Sequence, residues 1–152
     1  MIASSSDVPT GAGAGHTADA LIARLEEAGT TLLALPLSSG ARTDLRTSKW
    51  PVVRAAMDAY GWSDARLRPA VPAAGVISRM DEALGWISLI PQQQYVLRRI
   101  VGARALVSPL SGRHLFTWRR LGRALGADAR AVRRWHEKGI AAILAALNGT
   151  TR

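Results

Sequence analysis

The sequence of 152 residues lacks cysteine altogether, and no apolar run approaches the roughly 20 residues that a membrane-spanning helix needs. Without cysteine the chain can form no disulfide, and this absence agrees with a reducing compartment. Residues 1–16 lack both the basic start and the apolar stretch of a secretory signal. We therefore expect a cytoplasmic protein that has no membrane partner.

The sequence also lacks the groups of residues that carry catalysis or bind metals. General acid–base chemistry needs paired carboxylates or a histidine beside a partner, and nucleophilic chemistry needs a serine or cysteine with its base. No hydrolase, kinase or nuclease motif is present, and neither His114 nor His136 has a partner at the spacing of a metal site. We expect no enzyme, no metal and no cofactor. The acids that could take part fall on predicted helix surfaces: Glu26, Glu27, Asp58, Asp81 and Glu82.

What the sequence has in excess is positive charge, and the whole of this net excess lies in the last third. Residues 96–152 carry twelve Arg or Lys against two acidic residues, whereas residues 1–95 carry eight against nine. General solubility would need no such segregation, so the imbalance indicates a polyanionic partner that meets this end of the chain. Nucleic acid is the first candidate.

Residues 115–139, LFTWRRLGRALGADARAVRRWHEKG, match the pattern of a helix-turn-helix. Such a pair needs a small residue where the helices cross and a residue that tolerates positive φ in the turn. Gly122 and Gly126 fall at these two positions. Thr117 and Asp128 stand where their side chains can cap the two helices. Four apolar residues take the inward positions: Leu121, Leu125, Val132 and Trp135.

With residues spaced about 100° apart around a helix, the arginines of both helices point away from the apolar stripe. We interpret the second helix as a recognition helix whose opening turns enter the major groove of double-stranded DNA. Because arginine can contact guanine through two hydrogen bonds, we expect base reading from Arg130, Arg133 and Arg134. The side chains expected to bind phosphate are Thr117, Arg119, Arg120, Arg123 and Lys138.

A structural alternative stays open for this segment. The cationic face is also compatible with the solvated surface of an ordinary amphipathic helix pair. Trp118 and Trp135 lie beside the basic run and could stack on unpaired bases. Both tryptophans fall on the apolar stripe at helical spacing, however, which favours packing in the core.

Helical spacing recurs along the chain and predicts an all-α helical bundle. Residues 1–16 are rich in Ser, Gly and Ala and are expected to form a disordered tail. Residues 17–70 are expected to form an N-terminal helical region, with one helix from Thr17 to Pro36, a loop, and a second helix after Ser48 that ends at Gly61. Residues 71–149 are expected to form a C-terminal helix-turn-helix domain.

This C-terminal domain is predicted to begin with a helix over residues 76–90, after which Pro91 starts another helix. Two short apolar arms flank a PLSG turn within residues 105–115. The pattern fits either a small hairpin or a loop, and we favour the loop. The last helix is predicted to continue past the arginines and to stop at Gly149.

With the helices placed, the sequence resembles a family of short helical proteins from alphaproteobacteria and their phages, for which no activity is established. The resemblance is carried by LEEAGTTLLALP, KWPVV, AYGW, ARLRP, ISRMDEALGW and the closing helix-turn-helix. In such proteins the C-terminal segments resemble region 4 of bacterial sigma factors. The resemblance implies that PQQQYVLRRIVGAR is a helix packed behind the helix-turn-helix. The insert LVSPLSGRHLF departs from the short turn found in sigma-like domains.

The leading hypothesis is a sequence-specific DNA-binding protein that regulates transcription of phage or prophage-like genes. One alternative is an antiterminator or co-activator that contacts RNA polymerase, with Asp81 and Glu82 on the docking face of the neutral N-terminal half. Another is a phage small terminase subunit, which would have to assemble into a homo-oligomeric ring. Each hypothesis uses the same basic segment.

Overall fold

The structure is a computed structural model that describes residues 15–36 and 69–150. Within these ranges the chain is all-α, and no residue belongs to a named strand, as the sequence predicts. The predicted tail up to residue 14, the loop at 37–47 and the helix at 48–61 lie outside the described residues. Five α-helices are described: α1 (Ala18–Ala34), α2 (Ala74–Trp86), α3 (Tyr95–Ala105), α4 (Trp118–Leu125) and α5 (Ala129–Gly149).

Helix α1 begins and ends where the sequence predicts. The hydroxyl oxygen of Thr17 accepts a hydrogen bond from the backbone N–H of Ala20 at 3.3 Å, which caps the first turn. Leu35 is already extended, with φ −62° and ψ 131°, and Pro36 follows it. The buried face of the helix carries Leu21, Leu25, Ala28 and Leu32.

Two helix backbones come unusually close where α1 crosses α3. A Cβ atom added at Gly29 would lie 1.9 Å from the carbonyl oxygen of Ala105. No side chain larger than hydrogen fits there unless the backbone moves. Gly29 therefore sets the distance between α1 and α3.

The predicted helix over 76–90 is shorter at its C-terminal end than the apolar spacing indicates. The α-helix ends at Trp86 and passes into a 3₁₀ turn, Ile87–Leu89, closed by the N–H of Ile90 donating to the Ile87 carbonyl at 3.2 Å. Ile90 itself is extended, because the ring of Pro91 disfavours a helical residue before it. A second 3₁₀ turn, Gln92–Gln94, leads into α3.

One hydrophobic core joins α1, α2, α3 and the second half of α5. Leu21 of α1 and Ile143 of α5 are completely buried in it, together with Ile90 from the turn before α3. A smaller cluster lies under α3, α4 and the opening of α5. Among the described residues, the predicted N-terminal and C-terminal regions thus pack against a common core.

The insert between α3 and α4 is a loop closed by a single β-bridge between Val107 and His114. The N–H of Ser108 donates to the Arg113 carbonyl at 2.9 Å, and the N–H of Leu115 donates to the Leu106 carbonyl at 3.0 Å. No residue of the insert belongs to a named strand, as expected for a loop, but the antiparallel bridge and the hydrogen bonds beside it are those of a minimal hairpin. The bridge also fixes the entry of the chain into α4.

Ion pairs hold the exposed side of α1 against α2. Arg79 donates to both carboxylate oxygens of Glu27, at 2.9 and 3.0 Å, and this hydrogen bonding lowers the pKa of Glu27. Arg24 donates to Glu82 at 3.2 Å. Asp81 is exposed beside them. Glu82, which the polymerase hypothesis placed on a docking face, therefore already has a partner within the protein.

Candidate nucleic-acid interface

The basic segment forms two helices joined by a tight turn, and each helix has the cap that the sequence predicts. The hydroxyl oxygen of Thr117 accepts from the N–H of Arg120 at 3.1 Å at the start of α4. The carboxylate of Asp128 accepts from the N–H of Ala131 at 2.7 Å at the start of α5. We call residues 117–138 the α4–α5 unit.

The turn between α4 and α5 depends on two glycines. Gly126 has φ +66°, a left-handed conformation that side chains with a Cβ rarely adopt. A Cβ at Gly122 would lie 2.5 Å from the carbonyl oxygen of Ala127, so the turn lies directly against the helix. Both glycines stand in the positions that the sequence pattern assigns to them.

An apolar underside supports the unit. Val132 is completely buried and Leu121 is 7 % exposed, and both pack against Ile100 of α3. Leu125 and Trp135 are partly buried around this cluster. The helix α3 that the resemblance places behind the basic segment is therefore in contact with it.

The opposite side of the unit carries the predicted binding residues, and all eight of them are exposed. Arg119 and Arg123 lie one turn apart on α4, and Arg130 and Arg134 lie one turn apart on α5. Within the described residues, none of these four side chains makes a hydrogen bond or an ion pair, and neither does that of Lys138. Arg133 makes no such bond within this part of the chain either, but it lies near the ring of Trp118. We call these six exposed cations the cationic ridge: Arg119, Arg123, Arg130, Arg133, Arg134 and Lys138.

Arg120 differs from the other predicted phosphate ligands. Its guanidinium group donates to the Leu115 carbonyl at 3.3 Å and lies 4.9 Å above the ring of Phe116. Part of its donor capacity is thus used inside the protein, where it holds the end of the insert. The hydroxyl of Thr117 accepts the capping hydrogen bond, and its own hydrogen remains able to donate to a partner.

Trp118 is only partly buried, between the core and the surface. The guanidinium carbon of Arg104 lies 4.0 Å from the centroid of its ring, and that of Arg133 lies 5.9 Å away. The imidazole of His136 meets the same ring edge-on at 5.2 Å. The sequence indicated core packing for Trp118 and did not single out Arg104. The sequence signal for Arg104 is its spacing: it follows the apolar residue Ile100 by four positions and so falls on the buried side of α3.

His136 is 8 % exposed and is uncharged at neutral pH. Burial lowers its pKa to about 4, with smaller contributions from the charges of Arg104 and His114. An uncharged imidazole can pack beneath the cationic ridge without adding to its charge. No sequence pattern indicates this burial, because the burial of a single histidine depends on how three helices pack.

A cavity of about 380 Å³ separates the start of α1 from the α4–α5 unit. Charged groups of both signs line it, including Glu26, Arg104, Arg133 and Glu137. Across the residues that the structure describes, no cluster of His, Asp or Glu could hold a metal ion. None of the helices in those same residues is long and apolar enough to span a membrane.

These features define an all-α protein whose basic surface is built on two capped helices and a glycine turn. The sequence profile of the family described as "Domain of unknown function (DUF6362)" matches residues 35–143. The chain belongs to this family. No curated protein and no solved structure matches the chain.

Proposed function

We propose that the chain binds double-stranded DNA through the α4–α5 unit, acting as a helix-turn-helix with the opening turns of α5 in the major groove. The observation that carries the proposal is the cationic ridge. Six exposed cations stand on two helices, over a buried apolar underside, and five of them have no side-chain partner among the described residues. Collecting like charges in this way opposes folding, and a polyanion relieves the repulsion.

The two helices take different parts in the proposed complex. Arg130, Arg133 and Arg134 lie on α5, where side chains from the opening turns can reach base edges. Arg119 and Arg123 lie on α4, which in such complexes crosses the phosphate backbone. Lys138, Thr117 and Arg120 complete the phosphate contacts. Arg120 supplies mainly charge, because its guanidinium group also donates to Leu115.

The biological setting of the proposal is transcription regulation of phage or prophage-like genes. Its support is the resemblance of the chain to short helical proteins of alphaproteobacteria and their phages, with a C-terminal part like region 4 of sigma factors. The packing of α3 against the α4–α5 unit agrees with the supporting helix of such a region. The polymerase hypothesis gains less support, because Glu82 is paired with Arg24.

The experiment measures binding of purified protein to duplexes recovered from a random pool, by fluorescence anisotropy at several salt concentrations. Arg130→Ala is expected to lower affinity for the selected duplex by about 10-fold or more, while affinity for random DNA changes little, since a bidentate base contact is worth roughly 1–3 kcal/mol. Arg119→Ala is expected to weaken binding to all duplexes and to reduce the salt slope by about 1.

Arg99→Ala is the matched control, because Arg99 is an exposed arginine on α3, outside the unit. It should bind both kinds of duplex nearly as the wild type does. The proposal fails if the wild-type protein binds no duplex at about 50 mM salt, where phosphate contacts are strong. It also fails if Arg99→Ala weakens binding as much as Arg119→Ala does.

Mapping the tagged protein on the genome of its host separates the three settings. Occupancy of promoters supports regulation, and occupancy of terminators or of a packaging site supports antitermination or a terminase role. A ring-sized species in light scattering would favour the terminase subunit. A monomer or dimer would contradict it.

A further inference from the structure

The indole ring of Trp118 is held in place by residues from two other helices. Arg104 of α3 lies 4.0 Å from the ring centroid, and its guanidinium group also donates to the Phe116 carbonyl at 2.9 Å. His136 of α5 packs edge-on against the ring at 5.2 Å. Since Arg104 and His136 are themselves partly or fully buried, the orientation of the ring is fixed by the fold.

Arg133 is exposed, and its guanidinium carbon lies 5.9 Å from the centroid of this fixed ring. That separation is within the range of about 6 Å over which a cation is attracted to an aromatic ring. Arg104 lies closer to the same ring, and its positive charge opposes any movement of Arg133 deeper into the protein. Attraction to the indole, acting against the repulsion from Arg104, limits the positions of the Arg133 side chain before any partner binds.

The other two arginines expected to read bases have no such neighbour. Within the described residues, neither Arg130 nor Arg134 contacts an aromatic ring or makes a side-chain hydrogen bond. An unrestrained arginine must be ordered when it binds, and this ordering opposes binding, whereas a pre-ordered one avoids part of that cost. Arg133 thus loses less side-chain conformational entropy on binding than Arg130 and Arg134 do.

We propose that Trp118 is the positioning residue for Arg133, holding its guanidinium group where it enters the DNA groove and so contributing to sequence specificity without touching DNA. This inference rests on the proposed function. It assigns to Trp118 a role that neither core packing nor stacking on an unpaired base supplies. It also makes Arg133 the base reader whose contribution depends on a second helix.

The first test detects the interaction of Arg133 with the indole ring in the absence of DNA. In NMR spectra of the free protein, ring current from the indole should shift the side-chain signals of Arg133 upfield relative to those of Arg130 and Arg134. Trp118→Leu should remove that shift, and Trp118→Phe should keep part of it. If the Arg133 signals of the wild type are not shifted upfield of those of Arg130 and Arg134, the inference is overturned whether or not the protein binds DNA.

The second test is a double-mutant cycle on the duplex selected from the random pool. Trp118→Leu should weaken binding to it by about 3- to 10-fold, while Trp118→Phe stays within about 2-fold of the wild type. In a protein that already carries Arg133→Ala, Trp118→Leu should reduce the affinity for this duplex by about 3-fold less than it does in the wild type. In a protein that carries Arg130→Ala, Trp118→Leu should reduce the affinity by the same factor as it does in the wild type.

Thermal unfolding of each variant shows whether a loss of affinity comes from a misplaced Arg133 or from a destabilised fold. If Trp118→Leu couples equally to Arg130 and Arg133, or if Trp118→Phe binds as poorly as Trp118→Leu, the ring has only a structural role and the inference fails. If the wild type binds no duplex, the proposed function fails as well. An upfield shift of Arg133 would then report a contact within the protein and nothing more.

Discussion

Arginine is used in two different ways in the two halves of the described molecule. Where α1 meets α2, Arg79 binds both oxygens of Glu27, and Arg24 binds Glu82. On the α4–α5 unit, arginines of the cationic ridge such as Arg134 form no ion pair among the described residues, although Glu137 lies one turn away on the same helix. The comparison shows that the two regions differ in the pairing of their arginines as well as in net charge. The chain pairs its charges where two helices must be held together and leaves them unpaired where a partner is proposed to bind.

The largest expected effect comes from Gly29, where α1 meets α3 and thereby joins the two regions. Gly29→Ala should lower the free energy of unfolding by about 3 kcal/mol or more, because the added Cβ would lie 1.9 Å from a backbone oxygen that can move only with α3. Gly85→Ala is the control. Gly85 is a helical glycine with open space around its Cβ position, so alanine should stabilise α2 by about 0.5–1 kcal/mol. Urea unfolding measures both, and equal effects would contradict the close contact.

The second largest effect is a pH dependence of stability that comes from His136, which lies beneath the cationic ridge. The pKa of His136 is about 4 in the folded protein, below its ordinary value of 6.5. As the pH falls from about 6.5 toward 4, the unfolded chain takes up a proton at His136 while the folded protein does not. Stability should therefore decrease over this window, by about 2 kcal/mol between pH 7 and pH 4.5, and should show no contribution from His136 above pH 7.

His136→Phe tests this assignment, because it keeps an aromatic ring against Trp118 but cannot titrate. Urea unfolding at pH 7 and pH 4.5 should show a smaller difference for the variant than for the wild type. Carboxylates with a lowered pKa, such as Glu27, lose their contribution at lower pH in both proteins and so cancel in the comparison. An unchanged pH dependence in the variant would show that His136 is not the group responsible.

The smallest effect separates paired from unpaired arginine directly. Arg79→Gln should lower Tm by no more than a few degrees, since exposed ion pairs contribute little, and it should leave DNA binding unchanged. Arg134→Gln should leave Tm nearly unchanged, because repulsion from Arg130 and Lys138, one turn away on either side, is offset in part by attraction to Glu137. Its affinity for the selected duplex should fall by about 10-fold. If both variants lose DNA affinity equally, the difference between the two regions has no bearing on binding.

Features set by local sequence were predictable, and features set by packing were not. The caps at Thr117 and Asp128 follow from side chains that reach amides two or three residues away. The φ of Gly126 follows from its place in the turn. These signals were sufficient to place α4, α5 and the exposed cations, because a helix with one apolar stripe must direct its other side to solvent.

The surroundings of Trp118 could not be predicted from the sequence, because they depend on contacts between residues far apart in the chain. Arg104 precedes it by fourteen residues, and the loop between them brings the two together through the bridge at Val107 and His114. The spacing places Arg104 on the buried side of α3, but it does not indicate that this arginine stacks on an aromatic ring. The close approach at Gly29 was equally hidden, since a glycine within a helical pattern does not reveal whether another backbone lies against it.

Helix α5 runs without interruption for 21 residues, and its two ends have different surroundings. At 1.5 Å per residue it is about 31 Å long, a rigid rod whose opening turns carry arginines and whose closing turns are inserted in the core around Ile143. The angle at which those arginines approach a surface is therefore determined along the whole helix, by Ile143 in the core as well as by Val132 beneath the opening turns. Repacking around Ile143 would tilt the arginines together, so residues remote from the ridge contribute to its geometry.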